Sequence, residues 1–426
     1  MSESEDRSEA EARSSHVAGE DRSGAEARSS HVAGGEGFPL TRAFLEREID
    51  EGLFSRGAQV HVAVEGEPVL DVAIGSAGLG HDVSPETIFK VYCSIKPVTT
   101  LAVAHLVEAG RVDLEEPLQA ALPGFRVLAR GDVTLRHVLT HTAGLQYPSA
   151  VSMELLPPHE RRPFLERFPG QPGWRVGADA AYSEYFAWQL VGWLVEAVTR
   201  QPLREHLRAA VLDPLALDDT WVGMTHDEYR ANLERLGVNF DLHGGWQAFP
   251  LLVERTERVC CETNCSYGGY TNARDLARLY SALLAQRQGA SNPALPSTAT
   301  LDAFCSQARA RTYDSVLERE CEFGLGFMTN LVDHRFGVEC SPESFGHSGN
   351  IGSSFAFADP QRQLAVAVIF NGIVDQDSSF LRRPALVHAI YADLDAADEP
   401  RQASEQEPDA VDAPVGRSRR RWRRAR

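Results

Sequence analysis

The chain has 426 residues, of which 43% are hydrophobic and 24% charged, and this composition excludes a mainly disordered, collagen-like or fibrous protein. The net charge of −18 disfavours nucleic acid as a partner, and the longest apolar run, Leu364–Phe370, is far too short for a membrane helix. The first twenty residues are acidic and lack the apolar stretch of a secretory signal, so we expect a cytoplasmic protein.

Both ends of the sequence are polar. Residues 5–19 recur as residues 20–34 with one change, Glu9 to Gly24, and neither copy offers an apolar face. We therefore predict a disordered leader over 1–36, with a frayed helix as the alternative, a folded domain over 37–394 and a disordered tail over 395–426. The tail is acidic and then arginine-rich. It is interpreted as solvated, the alternative being a contact with nucleic acid or an anionic surface.

The hydrophobic pattern between these ends changes along the chain. A helix is predicted over 40–53, followed by a hairpin with strands over 58–64 and 69–73. Helical spacing then predicts helices over 94–109, 134–140, 185–199 and 272–284. Strand patterns return over 323–332, 344–348, 353–358 and 364–370, before a final helix near 380–394. This order predicts an α+β fold, in which one antiparallel sheet is built from both chain ends and flanked by helices.

The chain contains only two lysines, Lys90 and Lys96, against forty arginines. Lysine can lose its proton near neutral pH when it is desolvated and arginine cannot, so Lys96 is a candidate for proton transfer. Cys93 lies three residues before Lys96, and Pro97 marks the first turn of a predicted helix. Three residues turn a helix by about 300°, so Cys93 and Lys96 share a face, whereas Ser94 points away from Lys96.

This spacing favours Cys93, and not Ser94, as a nucleophile. A helix N-terminus and a neighbouring ammonium both stabilise the thiolate, which is the reactive form of cysteine. The alternative is a small buried cysteine beside a surface lysine, without a chemical role.

Several sequence elements together resemble the serine β-lactamase and penicillin-binding-protein-like family, particularly its class C, D-alanyl carboxypeptidase and esterase branch. The family's Ser-x-x-Lys, Tyr-Ser-x and His-x-Gly elements match Cys93-Ser-Ile-Lys96, Tyr182-Ser183-Glu184 and His347-Ser348-Gly349. Residues 134–145 look like the family's segment between the first two elements, and residues 268–275 like its Gly-Gly turn and helix. The resemblance covers about residues 38–393 and implies a β-lactamase/transpeptidase-like fold.

The resemblance also implies catalysis through a covalent acyl-enzyme. On this mapping Cys93 attacks the acyl donor, and Lys96 and Tyr182 exchange the proton. The backbone N–H groups of Cys93 and Asn350 bind the developing oxyanion. His347 lines the site beside Tyr182, where it tunes the tyrosine pKa or binds a substrate anion, with ordinary packing as the alternative.

Glu184, Ser348 and Gly349 are the expected substrate-binding residues. The chain departs from the family pattern at Cys93, in place of serine, and at Glu184, where the family often has Asn. A thioester on Cys93 reacts readily with amines as well as with water, which favours acyl transfer. The charge of Glu184 discourages a penicillin carboxylate and attracts an ammonium, unless the side chain points to solvent.

The sequence thus predicts a transacylase that moves an acyl group from an ester or thioester to an amine in small-molecule metabolism. Two alternatives stay open: an esterase or amidase acting through the same site, and an inactive binding or sensing protein. The expected partners are a small-molecule acyl donor and an amine acceptor, with neither nucleic acid nor membrane. The acyl group, the acceptor and the oligomeric state are not determined by the sequence.

The remaining cysteines and aromatic residues are less informative. Cys260, Cys261 and Cys265 match no zinc spacing, so neither a metal nor another cofactor is predicted, and all seven cysteines are expected to be free thiols. Three aromatic residues of the segment 224–262 are expected to wall a substrate pocket, with core packing as the alternative: Phe240, Trp246 and Phe249.

Overall fold

The computed structural model describes residues 31–52, 55–243 and 248–398, so most of the predicted leader and tail lie outside the described residues. The strands are β1 His31–Ala33, β2 Gly57–Val64, β3 Glu67–Gly78, β4 His81–Asp82, β5 Phe89–Lys90, β6 Trp221–Val222, β7 Phe240–Asp241, β8 Phe249–Pro250, β9 Gly269–Thr271, β10 Arg309–Asp314, β11 Arg319–Phe323, β12 Met328–Thr329, β13 Phe345–Ser348, β14 Ser354–Asp359, β15 Leu364–Phe370 and β16 Gly372–Ile373. The α-helices are α1 Pro39–Glu51, α2 Lys96–Glu108, α3 Leu135–Leu139, α4 Ala150–Glu154, α5 Pro158–Arg167, α6 Phe186–Thr199, α7 Leu203–Leu207, α8 His226–Asn232, α9 Glu257–Cys260, α10 Ala273–Arg287, α11 Thr298–Cys305 and α12 Gln376–Asp398.

The main sheet joins the beginning of the chain to its end. Within the described residues it has ten strands, in the order β1-β3-β2-β15-β14-β13-β12-β11-β10, with β4 paired to β3. Strand β2 runs antiparallel to β15, and Val62 lies opposite Val366. The predicted α+β fold, with one antiparallel sheet built from both chain ends, is therefore confirmed.

Helices cover both faces of this sheet, and the side chains of β15 are buried on both faces. Ala365 and Ala367 face the core that contains α2, α6 and α10, whereas Val366 and Val368 face the core beneath α1 and α12. Successive side chains of a strand point to opposite faces, so an uninterrupted apolar run supplies both cores. The small alanines lie on the side where α10 packs across the sheet.

Helix α2 runs through the middle of the helical core. Ten of its side chains are buried, and they are distributed around the whole helix rather than along one stripe. A helix that is apolar on all sides belongs in a protein interior. The segment that enters α2 is consequently held by neighbours on every side.

The two chain ends meet through a helix cap. The carboxylate of Asp393, on α12, accepts the backbone N–H groups of Leu40 and Thr41 at 3.0 and 2.8 Å. It also accepts the hydroxyl of Thr41 at 2.8 Å. These N–H groups belong to the first turn of α1, where the helix itself supplies no acceptors, so a carboxylate from the far end of the chain stabilises it.

Most predicted elements are present. The helix predicted over 272–284 begins after Asn272, whose Oδ1 accepts the backbone N–H of Asp275 at 2.9 Å. The strand predicted over 323–332 is wrong, because β11 ends at Phe323 and only Met328–Thr329 follows as a strand. The chain turns between them at Gly326, whose φ is +79°, a conformation that favours glycine. In addition, β1 lies within the predicted leader and pairs with β3.

Candidate active site

Cys93 lies in a tight turn at the entrance to α2. The turn is a 3-10 helix over Tyr92–Ile95, and α2 begins at Lys96, two residues after the predicted start at residue 94. Side chains three residues apart eclipse each other in a 3-10 helix. The Sγ of Cys93 accordingly lies 3.0 Å from the Nζ of Lys96.

Ser94 points in another direction, as its position predicted. Its Oγ lies 3.0 Å from the Oγ of Ser354, on β14, and its side chain is buried. Cys93 is half-buried and contacts the cores on both faces of the sheet. The thiol of Cys93 therefore faces Lys96, whereas the hydroxyl of Ser94 does not.

Lys96 is completely buried and lies between the thiol and a phenol. Its Nζ donates to the hydroxyl of Tyr182 at 2.6 Å, and it also lies 4.5 Å from the centroid of the Tyr182 ring and 5.5 Å from that of Trp188. Aromatic rings stabilise a desolvated ammonium through their negative faces. Burial raises the pKa of Tyr182 well above its usual value, and the neighbouring Cys93 and Glu184 side chains add to this effect. Cys93, Lys96 and Tyr182 thus form one continuous row of hydrogen-bonded groups.

Tyr182 is held from both sides by His141 and Asp314, which the sequence did not single out as site residues. The backbone carbonyl of His141 accepts the N–H of Ala181 at 3.0 Å. The ring Nδ1 of His141 accepts the N–H of Ser183, also at 3.0 Å. The buried carboxylate of Asp314 accepts the N–H of Tyr182 itself at 2.9 Å. His141 could have been recognised as a site residue from its place in the family-like segment 134–145. Asp314 could not, because it lies in a segment without any family-like motif.

His347 lies beside Tyr182, as expected, with the two ring centroids 6.2 Å apart. It is fully buried, and burial together with the charge of Lys96 lowers the imidazole pKa well below its usual value. Its Nδ1 lies 3.0 Å from the carbonyl oxygen of Ser348, to which it donates. A buried imidazole with a lowered pKa supplies no positive charge for a substrate anion, so its burial and lowered pKa favour packing beside Tyr182 over anion binding.

The end of β13 lies against the turn that contains Cys93. A Cβ on Gly349 would come within 2.3 Å of both the Val91 carbonyl oxygen and the Ser354 Oγ, so only glycine allows this close approach. Asn350 follows directly, and both Ser348 and Asn350 are half-buried. Asn350, which carries the predicted oxyanion donor, thus follows the end of the strand that packs against the Cys93 turn.

Glu184 has an exposed side chain close enough to Tyr182 to influence the tyrosine pKa. Phe240 packs on Gly78 of β3, whereas Phe249 is exposed and Trp246 lies outside the described residues. Glu184 therefore faces solvent and at the same time lies near the tyrosine of the site.

All seven cysteines lie in the described part of the chain and are free thiols. The Sγ atoms of Cys260 and Cys265 donate to the carbonyls of Glu254 and Trp188 at 3.3 and 3.0 Å. Burial raises the pKa of Cys260 to about 11 and that of Cys265 to about 12, so both stay protonated. Across residues 31–52, 55–243 and 248–398, no group of three or more His, Cys, Asp and Glu side chains is arranged to hold a metal ion.

Comparison with known proteins identifies the family. A sequence model of the family described as Beta-lactamase matches residues 45–389, which is most of the chain. This chain belongs to the β-lactamase family. The β-lactamase/transpeptidase-like fold predicted from the sequence is therefore confirmed. In the described part of this family member, no helix is both long and apolar enough to cross a membrane.

The relatives of this β-lactamase-family chain are distant. The esterase/β-lactamase LipL of Mycobacterium tuberculosis is 25% identical over 347 residues, which cover 75% of this chain and 77% of LipL. A penicillin-binding protein homolog from Caulobacter crescentus is 25% identical, with a TM-score of 0.68 over 85% of this chain and all of that one. EstCE1, described as a hydrolase with promiscuous acyltransferase activity, is 20% identical, with a TM-score of 0.69 over 84% and 99% of the two chains. Together the findings support acyl-transfer or hydrolase chemistry on a β-lactamase fold.

Proposed function

We propose that this protein is a transacylase that carries its acyl group as a thioester on Cys93. The observation that supports the proposal most directly is the row of three side chains, in which Lys96 Nζ lies 3.0 Å from Cys93 Sγ and 2.6 Å from Tyr182 OH. An ammonium at this distance stabilises the thiolate, and the adjacent phenol supplies a second group that can pass a proton.

The proposed reaction has two balanced halves. The thiolate of Cys93 attacks the carbonyl carbon of an ester or thioester donor, and the oxyanion is bound by the N–H groups of Cys93 and Asn350. The donor's alcohol or thiol leaves with a proton passed through Lys96 and Tyr182. An amine that has first lost its ammonium proton to solvent then attacks the thioester, gives the proton released on amide formation to the same pair, and releases Cys93 as thiolate.

Two features favour an amine over water as the acceptor. A thioester carbonyl is less stabilised by resonance than an ester carbonyl, so an amine attacks it readily. Glu184 places an exposed carboxylate near Tyr182, where it attracts a protonated amine. The proposed partners are thus a small-molecule acyl donor and an amine acceptor in the cytoplasm. The name of EstCE1 describes acyl transfer alongside hydrolysis for a protein of the same fold.

Intact-mass spectrometry with a panel of activated esters and thioesters tests the proposal. A transacylase gives an adduct on the wild type that disappears faster as the amine concentration rises, with the amide as product. An adduct that disappears at one rate whatever amine is added indicates an esterase or amidase. A chain that forms no adduct with any donor is an inactive binding protein. Cys93→Ala is the control and should form no adduct.

A further inference from the structure

The residue just before Cys93 has an unusual backbone. Tyr92 has φ of +49°, in the left-handed region that residues with a Cβ rarely adopt. The cost of this conformation corresponds to about a tenfold disadvantage in an equilibrium constant. Such a conformation persists only where the surrounding structure enforces it. The side chain of Tyr92 shows how it is enforced here.

The phenol of Tyr92 is anchored to a carboxylate far away in the sequence. Its hydroxyl donates to Glu254, whose two oxygens lie 2.8 and 2.9 Å away. The Nδ2 of Asn239 lies 3.2 Å from the same hydroxyl, 3.1 Å from Glu254 Oε2 and 3.1 Å from the carbonyl oxygen of Lys90. The Nζ of Lys90 donates to Glu254 Oε1 at 3.1 Å. We call Lys90, Asn239 and Glu254 the Tyr92 clasp.

The clasp is buried and itself well anchored. Each of its members, like Tyr92, is at most 9% exposed. The backbone carbonyl of Glu254 accepts hydrogen bonds from Tyr270 and Cys260. Charge-assisted hydrogen bonds in a buried setting are stronger than neutral ones, so the clasp is well suited to hold a strained residue. Burial raises the pKa of Tyr92 well above its usual value, which keeps the phenol protonated as a donor.

Lys90 is also the only lysine in the chain besides Lys96. Its Nζ lies 5.1 Å from the ring centroid of Tyr92 and 5.3 Å from that of Tyr267. A compact ammonium fits between these two rings and still reaches Glu254, whereas a planar guanidinium differs in size and geometry. Both lysines of an arginine-rich chain are therefore in contact with the segment that carries Cys93.

We infer that the Tyr92 clasp is a positioning device for the oxyanion donor of Cys93. The N–H of Cys93 belongs to the rigid peptide plane that joins it to Tyr92, so its direction follows from the backbone angles of Tyr92. By holding Tyr92 in the left-handed region, Lys90, Asn239 and Glu254 aim this N–H at the substrate carbonyl. The inference rests on the proposed acyl-enzyme and adds three positioning residues to it.

Glycine provides a direct test of the backbone argument, because it adopts positive φ without cost. Tyr92→Gly and Tyr92→Ala both lose the ring and its hydrogen bonds, but only the alanine variant has to pay for the left-handed conformation. In single-turnover acylation by an activated ester, Tyr92→Gly should react about tenfold faster than Tyr92→Ala. Adding Glu254→Gln to Tyr92→Gly should change the rate little, whereas Glu254→Gln alone should slow the wild type about tenfold.

Alkylation separates positioning from a general loss of structure. Iodoacetamide reacts with the Cys93 thiolate by displacement at carbon and forms no oxyanion, so it does not depend on the N–H of Cys93. Tyr92→Phe removes the anchoring hydroxyl and leaves every charge in place. It should slow acylation about tenfold, while the plateau rate of Cys93 alkylation at high pH stays within about twofold of the wild type.

Other results overturn the inference. Equal acylation rates in Tyr92→Gly and Tyr92→Ala would show that the left-handed backbone does not limit the reaction. An equal loss of acylation and alkylation in Tyr92→Phe would show that the clasp supports the thiol or the fold in general. A wild type that iodoacetamide alkylates but no ester acylates contradicts the proposed function, and with it an oxyanion role for the clasp.

Discussion

The imidazole of His141 packs on the ring of Tyr182 with their centroids 4.5 Å apart. Its Nδ1 accepts the N–H of Ser183, so in the neutral ring the proton is on Nε2. Burial lowers the pKa of His141 well below its usual value, and the charge of Lys96 adds to this effect. His141 thus orients the tyrosine of the site as an uncharged acceptor.

We expect His141→Phe to keep the ring packing but to leave the N–H of Ser183 without its acceptor. An unsatisfied buried donor costs about 1–3 kcal/mol, so the free energy of unfolding should fall by this amount. Acylation should slow as well, because Tyr182 loses one of its two supports. Urea unfolding and single-turnover acylation measure the two effects. A variant with full stability and full rate would show that His141 is dispensable.

The nucleophile can be assigned with a pair of variants. Cys93→Ala should abolish labelling by an activated ester, whereas Ser94→Ala should retain it, because the hydroxyl of Ser94 faces Ser354 rather than Lys96. Peptide mapping of the labelled protein gives the site. Labelling that survives in Cys93→Ala and disappears in Ser94→Ala would reverse the assignment. Cys93→Ser should keep weak activity shifted toward hydrolysis.

Lys96→Arg tests whether the ammonium has to exchange a proton. Arginine keeps the positive charge but cannot release it, and its larger head group has to fit a completely buried position. We expect acylation to slow by about 10²-fold or more, the usual contribution of general acid–base catalysis. The dependence of the rate on pH, compared with that of the wild type, is the measurement. A nearly unchanged rate would reduce Lys96 to an electrostatic support for the thiolate.

Glu184→Gln should affect the acceptor and not the donor. Loss of the carboxylate should raise the apparent KM for an amine, while the rate of acyl-enzyme formation stays nearly the same. The effect is expected to be modest, since an exposed ion pair contributes only about 0–1 kcal/mol. Partition of the acyl-enzyme between amide and acid across amine concentrations provides the measurement. The same partition in both proteins would exclude an acceptor role for Glu184.

Stability should fall in mild acid because three histidines are buried in their neutral form. Burial lowers the pKa of His334 to about 3 and those of His141 and His347 well below their usual value. The unfolded chain binds these protons below about pH 6.5 and the native chain does not, so stability is present above that pH and is lost as the pH falls. Each histidine contributes a slope of about 1.4 kcal/mol per pH unit.

Urea unfolding between pH 7.5 and pH 5 measures this slope. His334→Gln keeps a side-chain N–H for the carbonyl of Glu322, to which His334 Nε2 donates at 2.8 Å. Its slope should be smaller than that of the wild type by about 1.4 kcal/mol per pH unit. A slope that is the same in both proteins would mean that His334 is protonated in the native state.

Contacts between neighbours in the sequence could be predicted, and distant ones could not. The approach of Cys93 to Lys96 follows from a spacing of three residues, which brings two side chains to the same face in a 3-10 helix as well as in an α-helix. The clasp joins Tyr92 to Glu254, 162 residues away, in a segment without any family-like motif. Only the folded sheet and loops bring Tyr92 and Glu254 together, so no local sequence pattern predicts the contact.

Strand β10 was not predicted from the sequence, and the reason again lies in tertiary contacts. Strand β10 is buried at its two ends, Arg309 and Asp314, and largely exposed between them. The buried ends are an ion pair, with Arg309 Nη1 3.3 Å from Asp314 Oδ2, so the strand shows no alternation of apolar and polar residues. Where a core position is filled by paired charges, hydrophobic periodicity cannot reveal the element.

The pairing of β2 with β15 has a consequence for the synthesis of the protein. Val64 lies opposite Leu364, so the partner of the first hairpin is made about 300 residues later. At synthesis rates of about 5–20 residues per second, β15 is made on the order of 15–60 s after the hairpin of β2 and β3. During this interval the valine-rich edge of β2 has no neighbour, and unpaired edges of this kind associate with other chains. We therefore expect the nascent chain to depend on chaperones from the time the hairpin leaves the ribosome until β15 follows.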